Sequence, residues 1–497
     1  MIPDPVLLIV IPLLAAFLIP LTAIFSKKLA STIPLLGLIG MAAVAGWLFP
    51  NLDDGAIMSE TGGFAPPWGI SLVVTPLGGM LALGMILVAI FVIIPTTGKA
   101  ERKSDLWFNG MGMMATAGAV GMVITGDLFN LFVFLEITSI AAVVLAALPR
   151  EGDDSGFNWK GAATLAVISA VASFMVLAAI ALLYGSTSTL NLADMASASG
   201  DIPSFTAGAV LILMIIGFGV ESEIFPLNGW VPEVYRGSRW GTASIFSGII
   251  GKAGLIALIR VVLIIVGPSL GNSFASDLLL WGGLITYLVA EAAAFTSRDL
   301  YRLLGFSSIG VLGLSLAVIS SGSEMGIKAG ILLIIGNMIA KPILFSVIDH
   351  AGKGTKGDLP LSTLEGLIRR SPSAALLFTL SSLALLGMPP SPTFWGKFML
   401  FAGADGTAGW AVAAAVVIGT LLEAGYIGRL VWKAVSTRET GREQKRIPMS
   451  VARIIPALIG ILGLILIGLF PSMLGGSLDN AVKELSDPST YIRWGGF

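Results

Sequence analysis

Fourteen apolar runs, each near the twenty residues a helix needs to cross roughly 30 Å of hydrocarbon, fill this chain almost end to end. They lie near 5–25, 30–50, 71–97, 107–125, 128–149, 161–184, 205–232, 240–266, 276–296, 303–321, 326–348, 374–404, 409–432 and 450–474. The 497 residues are 55% hydrophobic and only 12% charged, against about a quarter charged in soluble domains. The sequence therefore predicts an all-α, polytopic membrane protein with the lipid bilayer as its solvent. The first run follows Met1-Ile2-Pro3-Asp4 without a basic leader or a small-residue cleavage site, and reads as a retained helix.

Basic residues in the connections give the orientation. Alternate connections hold Lys27 and Lys28; Lys99, Arg102 and Lys103; Arg150 and Lys160; Arg236 and Arg239; Arg298 and Arg302; Lys353, Lys356, Arg369 and Arg370; and Arg429, Lys433, Arg438, Arg442, Lys445, Arg446 and Arg453. That set takes 22 of the 29 basic residues. The other connections are acidic or neutral, with Asp53, Asp54, Glu60, Asp127, Asp194, Asp201, Asp277, Glu324 and Asp405. Since cytoplasmic loops carry the excess of lysine and arginine, both termini are expected on the outer side of the cell membrane.

Two runs are too long and carry prolines in mid-course. The seventh reads IIGFGVESEIFPLNGWVPEVY, with Pro226 and Pro232; the twelfth reads LALLGMPPSPTFWGKFMLF, with Pro389, Pro390 and Pro392. Proline removes a backbone donor and clashes with the preceding turn, so each helix is expected to break there. In lipid, freed backbone is tolerated only where protein or a wet cavity surrounds it, and paired breaks in the two halves of a transporter point to an ion site and an inverted repeat. The breaks are five helices apart. They suggest two inverted five-helix repeats, helices 4–8 and 9–13, and four regions: 1–106, 107–266, 276–432 and 450–497.

Charges inside the runs carry the functional signal. Lys252 in IIGKAGLIALI, Lys341 in GNMIAKPILF and Lys397 in PTFWGKFMLF stand alone among apolar residues, as do Glu136 in FVFLEITSI and Glu221 in GFGVESEIF. A charged side chain at bilayer depth costs roughly 2.5–3.5 kcal/mol on insertion scales, so intramembrane acids and bases point first to a path for protons or cations. The bland alternatives are a lysine reaching back to the interface and a glutamate holding two helices together. Glu291 in LVAEAAAF divides evenly between the two kinds of reading, Glu223 and Glu233 read as solvated at the break, and Arg260 fits either a deep or an outer site. His350 reads first as interfacial and second as an accessory to the path.

Six segments in order resemble the antiporter-like subunits shared by Mrp-type cation/proton antiporters, respiratory complex I and membrane-bound hydrogenases. They are LFNLFVFLEITS (128–139), IFPLNGWVPEVY (224–235), SGIIGKAGLIALIR (247–260), SRDLYRLLGFSSIGVLG (297–313), GNMIAKPILFSV (336–347) and GMPPSPTFWGKFML (387–400). The resemblance implies a hydrophilic axis running across the subunit, with Glu136 at the helix 5 glutamate, Lys252 at the helix 8 lysine, Lys341 at the helix 11 lysine and Lys397 at the helix 12 lysine. It also exposes departures. Glu221 stands where the family places a helix 7 lysine, Asn228 and Asn337 stand at histidine positions, and Arg239 at a proline.

The resemblance thus implies a proton-translocating subunit of an Mrp-like Na+/H+ antiporter complex, partnered by other membrane subunits, with protons and sodium as the ions. The alternative is the energy-coupling membrane subunit of a hydrogenase-like or complex I-like redox enzyme. Protons would pass from Glu136 or Glu221 to Lys252 and Lys341 and leave by Lys397. No cofactor is expected on this chain: it has no cysteine and one histidine, and no Walker or dinucleotide motif. A net charge of −1 offers no basic field to nucleic acid.

Overall fold

The computed structural model describes residues 3–52, 55–99, 102–149, 158–353, 355, 357–436 and 446–496. Of the charged loop positions named above, Asp53, Asp54, Arg150, Lys356, Arg438, Arg442 and Lys445 lie outside the described residues. Among those described, twelve helices are long and apolar enough to cross a membrane, and two shorter apolar helices, Leu7–Ala23 and Pro372–Leu386, occupy the first run and the first part of the twelfth.

The principal helices are α1 (Leu7–Ala23), α2 (Ile33–Leu48), α3 (Pro76–Ile93), α4 (Lys103–Ile124), α5 (Leu128–Ala147) and α6 (Trp159–Thr187). There follow α7 (Ser204–Glu221), α8 (Val231–Gly237) and α9 (Trp240–Leu270). The second half holds α10 (Asn272–Thr296), α11 (Leu300–Ser320), α12 (Glu324–Ala351), α13 (Pro372–Leu386), α14 (Pro392–Ala402) and α15 (Gly406–Val435). The chain closes with α16 (Val451–Leu469), α17 (Gly475–Ser486) and α18 (Pro488–Trp494).

One stretch departs from the all-helical expectation. Residues 71–74, which hydropathy assigns to the start of the third span, form a strand that pairs antiparallel with Ile57–Glu60 in the register Ile57↔Val74 to Glu60↔Ser71. The cause is local. Thr75 caps α3 by accepting the Gly78 amide at 3.0 Å, and Pro76 at the first helical turn fixes where the helix begins, leaving the β-favouring Leu-Val-Val before it extended.

Polar groups at the loop ends explain the other boundaries. Asp127 caps α5 through the Asn130 amide at 2.7 Å, Asp299 caps α11 through the Arg302 amide at 2.9 Å, and Ser391 caps α14 through the Phe394 amide at 3.2 Å. The basic connections meet at one end of the molecule, joined by Arg236–Asp358 and Arg239–Asp105 (each 2.5 Å) and Arg453–Asp349 (2.8 Å). At the opposite end Lys328 bridges Glu324 (2.5 Å) and Asp479 (2.6 Å), tying the C-terminal helices to α12. The tail beyond 474 is docked against the helices: Glu484 is fully enclosed and Tyr491 buried.

Burial is uneven in a way that matters for function. Helices α9, α11 and α12 are almost entirely enclosed by protein, whereas α6 and α16 turn most of their apolar side chains outward, the pattern of lipid-facing helices. Lys252 and Lys341 therefore sit on the innermost helices, surrounded by protein.

Candidate functional site

Both long runs break where their prolines fall, and the freed backbone groups find partners. After α7 ends at Glu221, the Val220 carbonyl accepts the indole N–H of Trp230 at 3.3 Å, and the Phe225 amide donates to Thr286 Oγ1 at 3.2 Å. At the second break, Gly387 takes a left-handed conformation (φ 88°) that ends α13. There the ammonium group of Lys397 donates to the Leu386 carbonyl at 2.9 Å. A cation at a helix C-terminus also meets the negative end of the helix dipole.

The second break carries an ion pair. Lys397 Nζ lies 2.6 Å from Glu423 Oε2, both groups buried. Glu423 sits in α15, a run in which the sequence reading marks no intramembrane charge. The criterion that picks out Glu136 applies to it equally: a lone acid within an apolar stretch, GTLLEAGYIG.

On α9 the residues Phe246–Ile250 wind as a π-helical turn, which displaces the carbonyls from their α-helical partners. Lys252 Nζ takes up the Ser247 carbonyl and donates to Asn337 Oδ1 at 2.8 Å. Asn337, which the sequence marks only as a departure from histidine, thus joins α12 to the α9 lysine. One α12 turn further on, Lys341 Nζ donates to the Leu304 carbonyl of α11 at 2.8 Å. Both lysines are fully enclosed.

The acids of the first half cluster around the α7 break. Ser139, on the same face of α5 as Glu136, donates to Glu221 Oε2 at 3.4 Å, and Glu221 lies within electrostatic reach of Glu136 and Glu223. Glu223, expected to be solvated, is instead buried. Its left-handed backbone (φ 59°) directs the carboxylate onto the Tyr235 hydroxyl, which donates to Oε1 at 2.9 Å. Solvation fails because the broken segment is packed against α9 and α10, and Glu223 finds its counter-charges in Lys252 and Lys341.

Glu291 on α10 is also enclosed and accepts the Tyr426 hydroxyl at 3.0 Å, while that hydroxyl also meets Ser307 Oγ at 2.9 Å. It faces Lys341, Lys397 and Glu423. The sequence-derived residues Glu136, Glu221, Lys252, Lys341 and Lys397 are thereby strung, with Glu223, Glu291 and Glu423, along one line through seven helices: three acids around the first break, then the two enclosed lysines, then Glu291 with the Lys397–Glu423 pair at the second. Two candidates fall off that line. Asn228 is half-buried within the first break, and His350 lies at the basic end of α12, its Nε2 at 3.2 Å from the Ile447 carbonyl beside the Arg453–Asp349 pair. Nine residues separate His350 from Lys341, about 14 Å along the helix.

Arg260, for which the sequence allows either a deep or an outer position, is buried ten residues before the C-terminal end of α9. Its guanidinium donates to the Val123 carbonyl (3.0 Å), Thr75 Oγ1 (3.3 Å) and Glu484 Oε1 (2.8 Å), so it anchors the C-terminal helices.

Comparison with known proteins places this arrangement. The profile of the family described as NADH:quinone oxidoreductase/Mrp antiporter, TM, matches residues 125–423. The N subunit of the NADH-quinone oxidoreductase of Desulforudis audaxviator is 28% identical over 495 residues, covering 94% of this chain and 95% of that protein. The D subunit of the Na(+)/H(+) antiporter of Alkalihalophilus pseudofirmus is 25% identical over 494 residues, covering 98% of each. A chain of the membrane-bound sulfane sulfur reductase, an archaeal respiratory membrane complex, superposes with a TM-score of 0.90 at 29% identity, over 98% of this chain and 99% of that one.

Proposed function

Because the chain belongs to the NADH:quinone oxidoreductase/Mrp antiporter transmembrane family, matched over more than half its length, we propose that it is the proton-translocating, antiporter-like subunit of a multisubunit complex in the cell membrane. Both termini lie outside in this reading, and the gathering of the basic connections at one end of the molecule supports it. The observation that carries the functional proposal is the continuous series of intramembrane acids and bases that runs from Glu136 through Lys252, Lys341 and Glu291 to the Lys397–Glu423 pair.

Enclosed groups of this kind trade protons through their neighbours' charge. When Glu423 pairs with Lys397 the ammonium is held; when a proton reaches Glu423 the pair is lost, and Lys397 releases its proton more readily. Repeated along the line, gain or loss of one pair biases the next transfer. The helix 7 lysine of the family is replaced here by Glu221, so the first half carries a surplus of carboxylate, and Lys252 and Lys341 supply its nearest positive charges.

Sodium-for-proton exchange in an Mrp-like complex is the first assignment, by likeness to the Na(+)/H(+) antiporter relative. A specific observation favours a redox complex as the second. The sulfane sulfur reductase chain and the NADH-quinone oxidoreductase relative are 29% and 28% identical, against 25% for the antiporter relative. Inside-out vesicles carrying the assembled complex decide: a sodium pulse collapsing a preformed proton gradient supports exchange, and gradient formation only on addition of an electron donor supports redox coupling. Lys252→Met or Lys397→Met should abolish proton movement in either case while the complex still assembles; wild-type transport in both variants overturns the proposal.

A further inference from the structure

The basic end of the molecule holds a cavity of about 570 Å³ between the C-terminus of α10 and the N-terminus of α11. Arg298, Asp299, Arg302 and Asp358 line it, two charges of each sign, so it attracts water without a net field against a cation. Its carboxylates are held in place. Asp299 accepts the Arg302 and Leu359 amides at 2.9 and 2.8 Å, and Asp358 accepts Arg236 at 2.5 Å. Arg298 and Asp358 are exposed, so the mouth opens to solvent.

Phe306, half-buried, also lines this crevice. Asp299, Arg302 and Phe306 share one face of α11, and the next residue on that face, about 6 Å deeper, is Gly310. A methyl group added at Gly310 would come within 2.3 Å of Glu291 Oε1. The Glu291 carboxylate thus rests on bare backbone one turn below Phe306, on the α11 face that also lines the crevice. Ala293, two residues along α10 from Glu291, forms part of the same wall.

Glu291 lies outside the segments that carry the family resemblance, and its surroundings suit more than a structural hydrogen bond. It is enclosed, it shares the Tyr426 hydroxyl with Ser307, and it faces Lys341 and the Lys397–Glu423 pair at once. We infer that the crevice is a cytoplasmic access route to the second half of the charge line, that Glu291 carries the proton between the crevice and Lys341, and that Phe306 is the hydrophobic barrier between water and carboxylate.

This rests on the translocation reading above. In the inward step a hydronium in the crevice gives its proton to the Glu291 carboxylate and becomes water; the carboxylic acid then gives the proton to a neutral Lys341 amine and returns to carboxylate. A phenyl ring that swings aside opens the route, and one that stays closed stops proton leak.

The chain contains no cysteine, so single cysteines report water access directly in the assembled complex. Ser297→Cys and Phe306→Cys should react with a membrane-impermeant thiol reagent in inside-out vesicles, whereas Leu312→Cys, buried deeper on α11, should not; Ala293→Cys replaces Phe306→Cys should the latter fail to assemble. Glu291→Gln should lower proton flux at least tenfold, Glu291→Asp should retain part of it, and Phe306→Ala should raise passive proton leak. Unreactive Ser297→Cys and Phe306→Cys, or wild-type flux in Glu291→Gln beside lost flux in Lys252→Met, overturns this inference alone. Wild-type flux in Glu291→Gln and Lys252→Met together overturns the translocation reading as well.

Discussion

A single buried charge is costly, and Lys252, Lys341, Lys397, Glu223 and Glu291 are each answered by a specific atom. Lys397 and Glu423 stand 2.6 Å apart, both enclosed. Removing one partner of such a pair leaves the other uncompensated and typically costs about 3–5 kcal/mol, while replacing both with apolar groups is often neutral. Glu423→Gln is therefore expected to lower both thermal stability and proton flux; the double variant Lys397→Met with Glu423→Leu should recover the melting temperature in detergent and still show no flux. Recovery of flux in the double variant would mean the pair is structural only. Arg260 and Glu484 make a pair of the same kind away from the line, joined at 2.8 Å with Tyr491 stacked against the guanidinium. Glu484→Ala should cost about 3–5 kcal/mol in unfolding measurements and leave the carriers of the charge line in place. At this scale the sequence tells which groups are unusual, since a lone charge in an apolar run is visible letter by letter. It does not tell their partners: nothing in it ties Glu423 to Lys397, and Glu223 reads as solvated, because partnership depends on which faces of distant helices meet.

Two elements owe their form to local chemistry that the sequence shows plainly. The breaks at 222–230 and 387–391 follow from Pro226 and from Pro389 and Pro390, and Gly387 is the residue on which the second depends. Its φ of 88° belongs to the left-handed region, which costs a residue with a Cβ roughly 1–2 kcal/mol. A Cβ there would also press within 3.1 Å of the Lys397 side chain. Gly387→Ala should thus reduce flux severalfold by shifting Lys397 from the Leu386 carbonyl, with the amount of assembled complex little changed; unaltered flux would show that the lysine tolerates the shift. The π-helical turn at Phe246–Ile250 is not legible in the sequence, because no residue type commands it. It lies where α9 packs against α12, and it leaves the Ser247 carbonyl to Lys252. The strand at Ser71–Val74 shows the converse error: hydropathy alone extends the third span too far, and Thr75-Pro76 marks the true start.

Across the whole molecule, orientation and assembly are the remaining questions. In the cysteine-free chain, Asp4→Cys and Ser489→Cys should react with an impermeant thiol reagent in right-side-out vesicles and be protected in sealed inside-out ones; the reverse pattern would invert the proposed topology. The sequence by itself determined the class, the sidedness argument, the sites of the breaks and the lysines worth attention, since these follow from hydropathy, charge counting and proline chemistry, all of them local or additive along the chain. Only the tertiary structure decided that Lys252 meets Asn337 across 85 positions, that Tyr426 meets Glu291 across 135, and that Arg260 meets Glu484 across 224. The reason is physical. Inside a bilayer nearly every helix is apolar on all sides, so the amphipathic pattern that would show in a soluble protein which face turns inward is faint, and the pairing of buried charges is fixed by how the helices pack.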